Sequence, residues 1–283
     1  MKWLTPFACA AAAALALNAP VSAQWARYTP PGTPKNAEGK PDLTAPTPRT
    51  PEGKPDLSGV WVNGGQGAAG RRAGGAPPAD PTAPPTPTFF NAGQNVPGGL
   101  PFQSWAAELR QQRTKSNAQD NPDAHCLPMG FLQFHMHPQP RKIVQTPNVT
   151  LIVYEANYGL RQIFTDGRSL PNEDANPTWE GYSIGKWEGD TLVVQSSGFR
   201  DGGWLDVNGS PFTDKLKLTE RFTRINYGTL RIDITVDDPK AYTKPWTVRI
   251  TQRLTPEDEM IEFVCNENEI SSRHYVTSEQ VNK

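Results

Sequence analysis

The residues with chemistry in them lie mainly between His135 and Trp246. His135-Met136-His137 places two imidazoles at i and i+2, which share a face in an extended chain and can address one divalent metal. A third ligand would come from Asp166, Glu180 or Asp206; otherwise the two histidines line a polar pocket or a surface strand. Arg161 opens R-Q-I-F-T-D-G-R. Facing inward, its guanidinium can hold an anionic or carbonyl oxygen through two parallel N–H groups. Asp166 and Arg168 of the same run read as a turn aspartate fixed by its neighbours. Glu180 adjoins Trp179 and has no turn duty; a carboxyl packed beside an indole is raised in pKa and suited to acid–base work. The similar Trp187-Glu188-Gly189-Asp190 is explained by a hairpin. Asp201-Gly202-Gly203-Trp204-Leu205-Asp206 offers two acids, close backbone approach at the glycines and one large aromatic. The same loop also reads as a crossing between strands with Trp204 plugging the end of the fold. Glu220 and Arg221 are strand neighbours and point to opposite faces; an inward Glu220 needs a partner, and Arg161 or His135 is the natural one.

Several chemistries lack their signatures. The chain has no GxSxG, HExxH, P-loop or dinucleotide fingerprint. Formal net charge is −1, without a basic stripe, so nucleic acid is not expected as a partner. Lys2, the apolar run Ala8 to Leu17 and Val21-Ser22-Ala23 have the form of a signal peptide cleaved near Ala23. That predicts a periplasmic or secreted protein, and no later run is long enough to insert in a membrane. Losing Cys9 leaves Cys126 and Cys265, expected as a disulfide in an oxidising compartment. Closing a loop that long contributes on the order of 4 kcal/mol through the unfolded state. Neither cysteine has zinc spacing.

The elements that must position these groups are mostly strands. Lys142–Thr146, Thr150–Ala156, Arg161–Thr165, Tyr182–Glu188, Asp190–Ser196, Lys215–Ile225, Thr229–Val236, Thr247–Leu254 and Met260–Cys265 alternate apolar and polar residues between turn signals such as Pro147-Asn148, Glu188-Gly189-Asp190 and Tyr227-Gly228. Ser104–Lys115 is the clearest helix, with Ser104 as cap and Trp105, Leu109 and Gln112 on one face. Residues 24–56 form a Pro/Gly-rich linker, expected to be extended or disordered. It carries Glu38-Gly39-Lys40-Pro41-Asp42-Leu43, repeated as Glu52-Gly53-Lys54-Pro55-Asp56-Leu57, the second copy leading into a first strand anchored by Trp61. The β domain, 57–283, holds a low-complexity insertion at about 64–100, expected to be flexible.

G-K-P-D-L-S-G-V-W, C-L-P-M-G, I-V-Q-T-P, R-Q-I-F-T-D-G-R, W-E-G-D-T-L-V-V and D-D-P-K-A-Y-T-K-P-W resemble a family of secreted bacterial proteins. The likeness covers about residues 50–270 outside the insertion and implies no assigned activity. Gly59-Val60-Trp61 is also similar to the lipocalin signature at a first barrel strand. The expected fold is therefore mainly β, an antiparallel, lipocalin-like barrel or strongly curved sheet with one short helix and a disordered N-terminal tail. The expected function is binding of a small, partly aromatic molecule, with Trp179, Tyr182 and Trp204 as walls, Arg161 as polar anchor, and Asp201 and Glu220 as further contacts. The alternative is a hydrolase, lyase or isomerase in the same pocket, with Glu180, Asp206 and His135 as catalytic groups. A third reading makes the Pro-rich tail a docking segment. No cofactor is predicted beyond a divalent metal at His135 and His137, and the oligomeric state is not set. Convergence of His135, Arg161, Glu180 and Asp206 on one pocket favours the enzyme; scatter disfavours it.

Overall fold

The computed structural model describes residues 28–64, 82–87, 91–172 and 175–265. The signal-peptide reading falls outside them, as does much of the low-complexity insertion. In chain order the elements are β1 (Gly59–Asn63), α1 (Ser104–Lys115), α2 (Phe131–Met136), β2 (Arg141–Gln145), β3 (Val149–Tyr154), β4 (Leu160–Phe164), β5 (Tyr182–Glu188), β6 (Thr191–Ser197), β7 (Lys217–Asn226), β8 (Thr229–Asp237) and β9 (Trp246–Leu254). The nine strands close into one barrel in sequence order, β9 pairing back onto β1. Alternation in sequence becomes alternation of burial: Leu218, Glu220, Phe222 and Arg224 of β7 and Leu230, Ile232, Ile234 and Val236 of β8 face inward.

A closed ring with an odd number of strands cannot alternate direction throughout, so one neighbouring pair must be parallel. Here it is β4 and β5, joined by residues 165–181 and paired only through Ile163↔Ser183 and Phe164↔Ile184. The expected antiparallel barrel is present, and its one parallel pair is this seam. Leu160–Gln162 lie beyond the ladder to β5, and the approach to β5 is tied instead to β6 by the Thr178↔Phe199 bridge.

Closure also explains why the strand expected at Met260–Cys265 does not form. Each strand already has two neighbours, leaving no edge to extend. The segment bonds to side chains instead: Ile261 N–H donates to Glu155 and Phe263 N–H to the Tyr158 hydroxyl. It ends in the expected Cys126–Cys265 disulfide.

The base of the barrel, at the β7–β8 turn, is sealed by Trp61, 0% exposed. Its indole N–H donates to Leu57 O, and the Arg224 guanidinium lies 4.9 Å above the ring. Gly59 has φ +139°, and a Cβ there would sit 2.5 Å from Leu254 Cδ1, so the start of β1 favours glycine. Residues 28–57 are not the loose linker expected. Each copy of the duplication folds into the same small hairpin, Lys35↔Pro41 and Arg49↔Pro55. The first docks on the β7–β8 turn through Gly228 N–H to Leu43 O and Tyr227 N–H to Ala45 O, and the second leads into buried Leu57. Such a segment lacks apolar bulk of its own; backbone bonds to the barrel order it. The insertion likewise contributes Ala92, wholly buried, and Pro85, whose carbonyl accepts from Arg249 N–H of β9.

The opposite end is filled by α2, all six of whose residues are buried. This corrects the extended reading of His135-Met136-His137. F-L-Q-F-H-M is apolar on nearly every side, the pattern of a helix surrounded by protein, and a run this short has no period to distinguish it from a strand. Arg141 caps its C-terminus, donating to the carbonyls of His135 (2.8 Å), His137 (2.7 Å) and Gln139 (2.7 Å). The cation thus answers the negative end of the helix. α1 spans the predicted residues, but Gln103, whose side chain makes no capping bond and donates instead to Pro239 O, occupies the cap position in place of Ser104; Gln103 N–H is bound to Ala241 O, which fixes the entry.

Candidate functional site

β4, β5, β6 and β7 each carry a polar residue among their inward-facing positions, where those of β8 are all aliphatic. Arg161 from β4, Ser183 from β5, Ser196 from β6 and Glu220 from β7 meet His135, delivered by α2. Arg161 donates through both terminal nitrogens to the two oxygens of Glu220, through Nε to Ser183 Oγ (3.2 Å) and through Nη2 to Ser196 Oγ (2.9 Å). The two hydroxyls are 2.8 Å apart, and the guanidinium lies 3.9 Å from the centre of the Phe131 ring. Glu220 also accepts from His135 Nε2 at 3.1 Å, and Gln252 lies 3.3 Å from Nδ1 as its donor. That assigns the Nε2–H tautomer. Glu220, Arg161 and His135 are each no more than 1% exposed.

Burial sets the protonation states. It holds His135 below its ordinary pKa of 6.5 against the pull of Glu220, so the imidazole is neutral near pH 7. Burial also opposes ionisation of Glu220, but the Arg161 charge and the bonds from His135 and Arg161 overcome it and hold the carboxyl well below the usual range. Glu180 differs. Burial pushes it up to about 7, opposed only in part by the charge of Arg161, and its Oε2 is buried without a hydrogen-bond partner. It precedes β5 at the seam, one residue before Gly181, whose φ is +61° and whose Cβ would lie 2.7 Å from the Phe199 ring. Tyr154, opposite Arg141 in the β2–β3 ladder, is buried with its hydroxyl unpartnered; burial raises its pKa, and it feels the charges of Arg161, Glu220 and Glu180.

The remaining expected residues are not in this cluster. Asp206 is fully buried in a turn of its own, accepting from Ala92 N–H, Ser210 N–H and the Ser210 hydroxyl. His137 faces Gln139 and Asp123 (3.5 Å), away from the His135 contacts. The shared face assumed for a two-histidine metal site is absent because the backbone is helical, and no group of three or more His, Cys, Asp and Glu among the described residues is placed to hold a metal. Tyr182 lies on the outer surface, stacked on Phe164 at 5.2 Å and hydrogen-bonded by Arg168. Trp179 is half-buried beneath Arg200, and Trp204 is buried beneath Arg113. The three aromatics therefore do not wall one pocket. Asp201 accepts Asp214 N–H on the exposed rim of the α2 end.

Sequence reading missed Arg141, Tyr154, Ser183, Ser196 and Gln252. Their signal was parity: each continues the inward series of its strand, as Ser196 continues Leu192 and Val194. A polar residue on an inward step announces a buried polar contact. No family model matches the chain, and neither a curated protein nor a solved structure is detectably similar to it.

Proposed function

We propose that the protein is a secreted or periplasmic small-molecule-binding barrel whose ligand engages the Glu180 end of the β4–β5 seam. The observation that carries this is the buried, unpartnered Glu180 Oε2 beside Arg161. A buried polar atom without a partner costs about 1–3 kcal/mol, which a hydrogen-bonding occupant would return. Tyr154 adds a second unpartnered group, whereas Glu220 has its capacity largely used within the protein. The β4–β5 ladder, with two residue pairs, is the shortest in the barrel, and the ligand's approach is placed there. The disulfide, and the absence among the described residues of a helix long and apolar enough to cross a membrane, fit the proposed location.

The test is capture of small molecules from cell extract by the immobilised protein, read by mass spectrometry against Glu180→Gln. A compound enriched by the native protein and lost from the variant is expected. No enrichment, or equal enrichment by both, overturns the reading.

One observation favours a second reading: a carboxyl near 7 can both give and take a proton at neutral pH. An acid–base enzyme, whether hydrolase, lyase or isomerase, would convert the captured compound with a pH profile that breaks near 7 and loses that break in Glu180→Gln. The separate position of Asp206 removes one of its three expected groups, so binding is the preferred function.

A further inference from the structure

The α2 end carries a concavity outside the barrel and separate from Glu180. It is a cleft of about 310 Å³ between α1, the Asp201-Gly202 loop, Pro211–Thr213 and Lys240. Its α1 wall is Trp105, Leu109 and Arg113, at i, i+4 and i+8 and so on one helical face. At 1.5 Å per residue that stripe is about 12 Å long. The helix spends its large apolar side chains here: only Ala106 of α1 is buried, while Trp105 is 43% exposed. Pro211 and Phe212 supply apolar surface opposite. Gly202, at φ +94°, has open space where a Cβ would stand, so ligand atoms can reach backbone at that point.

Arg113 ends the stripe. Its guanidinium stacks 4.6 Å above the Trp204 ring and donates to Gly209 O at 3.1 Å, and no described carboxylate forms a salt bridge with it. The other cation, Lys240, is already paired with Asp214. An apolar trough closed at one end by a desolvated arginine is complementary to an apolar body with one anionic oxygen terminus.

We propose that this cleft is a second binding site, for a small amphiphilic carboxylate, with the carboxylate on Arg113 and an aromatic or aliphatic body along Trp105 and Leu109. Asp201, on the rim, would disfavour dianions.

The probes are 4-phenylbutanoate and its uncharged counterpart 4-phenylbutanamide, titrated calorimetrically into the native protein and three variants. The acid is expected to bind in the millimolar range or tighter, and the amide roughly tenfold more weakly. Arg113→Met should abolish that preference, Trp105→Ala should weaken both probes, and Asp201→Asn should tighten the acid. If Arg113→Met fails to fold by circular dichroism, Trp105→Ala and Asp201→Asn decide, since neither residue is buried in the core. Equal binding of acid and amide to the native protein, no binding of the acid at millimolar concentration, or an acid affinity indifferent to both rim and wall variants overturns the proposal.

Discussion

Replacing Glu180 by Gln keeps the shape of the side chain and removes its ionisation, so it isolates the consequence of the raised pKa. Burial holds the carboxyl at about 7, against an ordinary 4.5. The folded chain therefore binds this proton more tightly than the unfolded chain. Its contribution to stability is complete below pH 4.5 and is lost as pH rises through 7. Two and a half units at about 1.36 kcal/mol each give about 3 kcal/mol, and the remaining solvent access of the site reduces this to about 2. Buried His135 acts in the opposite sense: its pKa is lowered, so its contribution is present above 6.5 and lost as pH falls. Glu220, lowered as well, matters only on the acid side of 4.5. Both remain in the variant, so a double difference removes them provided the core network is undisturbed. Urea unfolding with the disulfide intact, at about pH 5 and about pH 8, should show Glu180→Gln gaining about 2 kcal/mol on the native protein between the two conditions. A variant-minus-native difference that is the same at both pH values, or that moves the other way, refutes the assignment of Glu180 as a destabilised, desolvated carboxylate.

Other substitutions test the frame around it. Glu220→Gln removes the countercharge bonded to Arg161 in the core and should cost about 3–5 kcal/mol in the same assay at about pH 5, where Glu180 is protonated; a loss under about 1 kcal/mol would mean the ion pair is not holding the barrel interior. Gly59→Ala should destabilise by at least about 1 kcal/mol, since its positive φ strains any Cβ and the Leu254 side chain would have to move, and a neutral effect would contradict the described backbone at Gly59. Cys126→Ser with Cys265→Ser should lower stability by about 4 kcal/mol while far-ultraviolet circular dichroism keeps its β signature, because the bridge spans 139 residues of sequence and joins no two strands. Loss of the β signature under native conditions would show that the bridge is needed to form the barrel.

The barrel was legible because its strands alternate and are divided by turn residues whose backbone demands are local. Tyr182–Glu188 and the Gly189 turn, with φ +58°, read correctly because a strand and a tight hairpin each need little from distant sequence. The tenth strand at Met260–Cys265 failed for a global reason, the absence of an edge, which no local pattern expresses. The order of residues 28–57 failed for a related one. Composition measures what a segment can bury by itself, whereas this segment is held by the surface it covers, as Arg49 shows by pairing with Asp190 of the β5–β6 turn.

The site was half legible for the same division of causes. An inward Glu220 implied a partner from elementary electrostatics, and the partners it reaches are Arg161 and His135. His135 arrives by way of a helix where an extended chain was expected, so its neighbour His137 was assigned to the wrong face. A buried ion pair is seldom more stable than hydrocarbon of the same volume, and β8 shows that this fold can fill its interior with Leu, Ile and Val. The Arg161–Glu220 pair and its two serines stand on β4–β7, the side that includes the short parallel seam. Charge and serine hydroxyls thus gather next to the weakest-paired interval of the wall, and Glu180 stands there with one oxygen unspent. Stability alone does not require that coincidence, whereas a ligand entering at the seam would use each part of it.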